Sequence, residues 1–116
     1  MTQRTDKRPL DMETMRASAR RLLAADAELP AFEELETLTL GIRGHMMLLI
    51  PEVLTVAERQ PKDDIPRYCA LACVGEARAK LNLQAKPGLP AGIAHAMRLS
   101  RCLNALCDHY ENLSAR

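Results

Sequence analysis

The chain has 116 residues, a net charge of +1 and 47% apolar side chains. That is the size and composition of one ordinary globular domain. Aromatics make up only 3%, namely Phe32, Tyr68 and Tyr110, with no Trp. This scarcity argues against an aromatic-rich sandwich or a base-stacking platform, and the near-neutral balance argues against a dedicated nucleic-acid binder.

Residues 1–8 read as a flexible polar arm, and residues 9–116 as a single helical-bundle domain. The charged stretch Met1 to Leu10 lacks the apolar core of a secretory signal. No unbroken apolar run approaches the roughly 18 residues of a membrane span. The four cysteines, Cys69, Cys73, Cys102 and Cys107, form no C-x-x-C pair. A cytoplasmic location with reduced thiols is therefore expected.

In chain order, Asp11 is a good N-cap, and Met12, Met15, Ala19 and Leu22 follow at helical spacing, so the first helix is predicted over 11–27. Leu29-Pro30 ends it. The second helix starts near 31 with Glu33, Glu34 and Glu36 in its first turns, where the helix dipole favours carboxylates. Its core stripe is Leu35, Leu38, Ile42, Met46, Leu49 and Val53. Pro51 removes a backbone donor and predicts a kink there. Residues 60–64 form a loop in which Asp64 caps a third helix over 65–83, with Pro66 in its first turn. That helix is rich in Ala, Gly and Cys, which permits close packing. After a loop at 86–90, the fourth helix begins near 91. Ala96, Leu99, Leu103, Leu106, Tyr110 and Leu113 give it an unbroken three-four seam. Strand patterns are absent, so the fold class is all-α, an up-down-up-down four-helix bundle with the second helix kinked at Pro51.

Three features depart from a plain bundle. Leu40, Met47 and Leu54 lie seven residues apart on a second apolar line of helix 2, widened by Leu48 and Ile50. A helix apolar nearly all round is either central or carries an oligomer face, so this line is a candidate homodimer seam. Arg78 falls within the apolar arc of helix 3, where an arginine either snorkels to the edge or meets a carboxylate, with Glu52 and Asp108 as the candidates. His45 and His109 border the core stripes of helices 2 and 4, and His95 lies near the start of helix 4. Cys69 and Cys73 are spaced for one metal, but the four convergent ligands of a structural zinc site are missing, and so are the repeated Glu-x-x-His motifs of a di-metal bundle. No phosphate loop, nucleophile elbow or H-E-x-x-H motif occurs. No catalytic residue, metal or cofactor is expected.

Three runs carry a resemblance: Ile42-Arg43-Gly44-His45-Met46-Met47-Leu48-Leu49-Ile50-Pro51-Glu52-Val53, Gly75-Glu76-Ala77-Arg78-Ala79-Lys80-Leu81, and Leu106-Cys107-Asp108-His109-Tyr110-Glu111-Asn112-Leu113. Together they resemble a family of small uncharacterised actinobacterial proteins of the Streptomyces type, loosely labelled natural product biosynthesis proteins. The resemblance covers about residues 12–113. It implies a cytoplasmic accessory protein and brings no reaction or cofactor. It singles out Arg43, Gly44, His45, Pro51, Glu52, Glu76, Arg78 and His109.

The expectation is thus a non-enzymatic helical protein that acts through protein contacts, with a homodimer through Leu40, Met47 and Leu54. A second expectation is a small-molecule- or metal-binding bundle, or an enzyme built on one. It would use a polar cluster of Arg43, His45, Glu52, Glu76, Arg78, Asp108 and His109 between helices 2, 3 and 4. A third is a transcription-associated regulator working through protein contacts. Neither a membrane nor a nucleic acid is expected as a partner.

Overall fold

A computed structural model describes residues 10–116, and the arm expected at 1–8 lies outside them. Four helices make up the regular structure of the described residues: α1 (Met12–Leu23), α2 (Phe32–Glu58), α3 (Ile65–Leu81) and α4 (Leu89–Ser114). Each starts and stops for a local reason. Asp11 caps α1, accepting from the Thr14 amide at 3.0 Å and the Thr14 hydroxyl at 2.7 Å. Met15, Ala19 and Leu22 then turn inward and are buried. The helix ends at Leu23, short of the expected 27, where Ala24 becomes extended. Beyond Leu22 the segment Ala24-Ala25-Asp26 is exposed and has no large apolar side chain to bury. Arg21 holds the connection instead. Its Nη1 donates to the Glu28 carbonyl at 2.8 Å, and Nε and Nη2 grip the Glu34 carboxylate at 3.1 and 3.0 Å.

The second helix, α2, runs 27 residues, about 40 Å at 1.5 Å per residue. It continues through Pro51, and the Thr55 hydroxyl donates to the Pro51 carbonyl at 3.0 Å. Asp64 caps α3 by accepting from the Arg67 amide at 2.9 Å. α4 starts at Leu89, slightly ahead of expectation. Gly88 takes φ +104°, a conformation that side chains rarely adopt, and Pro90 fits the first turn, where its missing N–H has no partner to lose.

The two ends of the bundle fix the helix directions. At one end Leu22, Leu35 and Ala96 form a small buried cluster flanked by Leu38, Ile93 and Met97. At the other, Arg116 donates to Gln60 at 3.2 Å and to Asp64 at 2.9 Å. α2 and α4 therefore run in the same direction, with α1 and α3 opposed to both. The topology is the expected up-down-up-down bundle. Its cross-section is a rhombus rather than a square. α2 and α4 meet along the short diagonal and each also touches α1 and α3, whereas α1 and α3 make no contact with one another.

The core fills this diagonal. Ile42, Met46, Leu49 and Val53 from α2 meet Leu99, Leu103 and Leu106 from α4, all fully buried. Gly92 lets the two helices close at their N-terminal ends. A Cβ there would stand 2.9 Å from the Leu35 Cδ2 atom. The α4 seam is buried as predicted, with Tyr110 half-buried at its edge. One expectation needs correction. α2 is long and apolar enough, by length and composition, to cross a membrane. It escapes a search for unbroken apolar runs because Arg43, His45 and Glu52 interrupt it. Its inner side is the centre of the core.

Leu103→Ala removes a fully buried side chain from the middle of α4 and is expected to cost about 2–5 kcal/mol of stability in urea unfolding. Leu83→Ala, in a loop and 58% exposed, should change stability by no more than about 0.5 kcal/mol.

Candidate functional site

Of the polar residues singled out from the sequence, Arg43 and Asp108 make side-chain bonds among the described residues, and to different partners. Arg43 is half-buried, and its Nη2 donates to the Leu81 carbonyl at 2.8 Å. It thereby satisfies one of the orphan acceptors at the C-terminus of α3. Asp108 does not pair with Arg78. It accepts from Arg16 Nη2 at 2.7 Å, and Glu111 accepts from the same nitrogen. The two carboxylates raise the Arg16 pKa. This network ties α1 to the end of α4. Arg78 and Glu52 are exposed and make no ion pair among the described residues. On a helix with few large side chains, an arginine on the apolar arc reaches solvent without a buried partner. Glu76 is also exposed, on the rim of a shallow hollow between α3 and α4 that it shares with Lys80, Arg98 and Arg101. His45 and His109 are half-buried on separate helices.

The outer face of α2 is the clearest feature. Leu40, Met47 and Leu48 are 71%, 64% and 63% exposed, although the opposite side of the same helix is fully buried. Gly41 and Gly44 lie between them, and a Cβ at either would meet nothing within 4 Å. Together with His45 they form a shallow apolar depression. Two members of the predicted line belong elsewhere. Leu54 is half-buried against the core, and Ile50 is within it. Both rotate toward α3, the side on which Arg43 reaches Leu81. The exposed face is therefore Leu40, Gly41, Gly44, Met47 and Leu48.

His95 received no role from its sequence position. Its side chain is buried, 8% exposed, and makes no hydrogen bond among the described residues. Burial pushes its pKa down, and the nearby guanidinium groups of Arg43 and Arg98 push it down further. It borders two hollows beneath the α3–α4 loop, of about 330 and 310 Å³. Solitary placement in the second turn of a helix hid it, since nothing in the spacing marks a loop folded over that turn.

The cysteines are all free. Burial pushes the thiols of Cys73 and Cys107 up to about 11 and also raises that of Cys102. They are protonated at neutral pH, the form that is a poor nucleophile and a poor metal ligand. Among the described residues no three His, Cys, Asp or Glu side chains converge on a point where a metal could sit.

Fold and surface together define a small antiparallel helical bundle with one bare apolar helix face. The chain belongs to the DUF6415 family, a family of unknown function, whose pattern matches residues 13–115. Neither a curated protein nor a solved structure matches it.

The lowered His95 pKa has a consequence for stability. The unfolded chain takes up the proton near the ordinary value of 6.5, before the folded chain does. The stabilisation is present above that value and is lost as pH falls from it through the lower folded pKa. Urea midpoints are expected to drop between pH 7.5 and pH 5.5, and His95→Gln should flatten that slope. Asp11 and Asp64, both held below their ordinary 3.8, lose their contributions only at more acidic pH.

Proposed function

We propose that this is a non-catalytic helical interaction protein that works as a homodimer through the outer face of α2. The observation that carries this reading is the exposure of Leu40, Met47 and Leu48 around two glycines that nothing in their own chain requires. Mid-helix glycine costs about 1 kcal/mol relative to alanine. Gly41 and Gly44 meet no neighbour among the described residues, so no packing there requires their small size.

A second copy of this chain is the occupant that fits. At 100° per residue Gly44 lies at the centre of the face. Leu40 and Met47 lie on one flank, and Gly41 and Leu48 on the other. An antiparallel two-fold axis at Gly44 sets Gly44 against Gly44. It places Leu40 opposite Met47 of the second copy, and Leu48 over its Gly41. The pattern is complementary to itself, as a two-fold interface requires. Glycine at the crossing lets the backbones approach closely, and the two Leu40–Met47 and two Leu48–Gly41 contacts that surround it carry no charge. The setting implied by the sequence resemblance goes with this reading: an accessory role in an actinobacterial cytoplasm, in a natural-product context.

Sedimentation equilibrium tests it. The wild-type chain is expected to be a dimer at micromolar concentration, and Met47→Glu a folded monomer. Gly44→Ala should move two quantities in opposite directions. It raises the unfolding free energy measured on the Met47→Glu monomer by up to about 1 kcal/mol, and it weakens the dimer by separating the helices. A wild-type monomer, a dimer indifferent to both substitutions, or a monomer that binds lipid vesicles through Met47 and Leu48 would each overturn the reading.

A further inference from the structure

The α3–α4 loop folds over His95 and leaves a hollow on each side of it. The first is lined by Lys86, Arg98 and the imidazole, together with Gln84 of the loop. The second is apolar along Leu35, Leu40 and Gly92. Ala85 and His95 line both hollows, and the neck between these two residues is where a ligand occupying both would cross from one to the other. Each is within the volume range of small-molecule sites, which begins at about 300 Å³. The polar groups are unevenly divided. The first hollow has two cationic side chains and no carboxylate. The second has one carboxylate, the exposed Glu36 at its rim, and the hydroxyl of Thr39. Arg43 is already fixed at the Leu81 carbonyl, at the start of the same loop, and its field reaches the imidazole.

A buried imidazole without a hydrogen-bond partner is costly, because the ring gives up water and gains nothing in return. Most such groups in folded proteins find a partner. His95 finds none among the described residues, and both hollows open on it. Its two ring nitrogens, one a donor and one an acceptor in the neutral form, are the unused polar atoms at the neck.

We propose that the paired hollow binds a small organic acid with an apolar stem, its anionic head between Lys86 and Arg98 against His95, its stem passing under Ala85 onto Leu35 and Gly92. The charges set the direction in which the ligand enters. An anion is drawn to the end that holds two cations and no carboxylate. The stem removes from water the apolar wall at the other end. The ring of His95 supplies a hydrogen bond to the head group and gains the partner it lacks. The loop carries Lys86 and Ala85, so contact with the ligand orders the loop as well. The proposal does not rest on self-association.

Decanoate is the probe, with decanol as the same stem without charge and acetate as the head without stem. Titration of the full chain, followed by the ring signals of His95 in NMR, is expected to show saturable decanoate binding that moves those signals. Decanol and acetate should bind roughly tenfold or more weakly, the scale of one lost charge-assisted hydrogen bond. Two variants at exposed positions should each weaken decanoate by about the same factor: Lys86→Gln combined with Arg98→Gln removes the cations, and Ala85→Trp plugs the neck. Met47→Glu, at a residue bordering neither hollow, should bind as wild type does; Leu40 is shared by the second hollow and the α2 face, so this variant shows whether the site works in the monomer. Equal binding of decanol and decanoate would overturn the proposal. So would unchanged affinity in both variants, or titration that leaves the His95 ring unmoved.

Discussion

The architecture depends on the direct contact of α2 with α4. In a square bundle each helix has two neighbours and its diagonal partner is out of reach. Here Gly92 removes the side chain that would hold the diagonal pair apart at one end, and Leu35 occupies the space. Ile42, Met46, Leu49 and Val53 then interdigitate directly with Leu99, Leu103 and Leu106. Packing at interior density along this line excludes α1 and α3 from one another's reach and presses each into an outer corner.

The same geometry explains why one long helix is apolar on both sides. Three neighbours reach α2, but all three approach from the inner half of its circumference. Among the described residues the outer half receives no cover. Exposed apolar surface concentrated on one helix, rather than scattered singly, is the feature on which the proposed self-association rests. Two glycines in the middle of that surface are unfavourable for the helix in isolation, and no packing among the described residues offsets them.

Much of the fold was legible because its signals are local. Asp11, Asp64 and Pro66 announce helix starts by their chemistry, and the α4 seam from Ala96 to Leu113 keeps one period throughout. The end of α1 was less legible, since alanines tolerate either outcome and the deciding contact, Arg21 to Glu28 and Glu34, crosses the turn. The face of α2 was read in part. Periodicity found Leu40 and Met47, but it also included Leu54, because seven-residue spacing drifts by about 20° per repeat on a straight helix. Where α3 lies on one flank, that drift is enough to cover the last member. Polar residues were the least legible. Periodicity places Arg78 or Asp108 on an arc, but which partner it meets depends on three-dimensional neighbours. Asp108 turned out to face Arg16 on α1, a helix no pairing rule linked to it. His95 needed knowledge of where a loop returns.

The absence of contact between α1 and α3 also divides the bundle by its capacity to open. α1 has 12 residues, at the margin of what persists as a helix without support. Its hold on the rest consists of Met15, Ala19 and Leu22 together with ion pairs at Arg16 and Arg21 that face solvent. α3 contributes nothing to that hold and loses nothing when it is released. α1 therefore leans on α2 and α4 alone, and because Met15 and Ala19 share one buried cluster with Ile42, Met46 and Leu103, its release would uncover that cluster on one side while α3 keeps its own contacts.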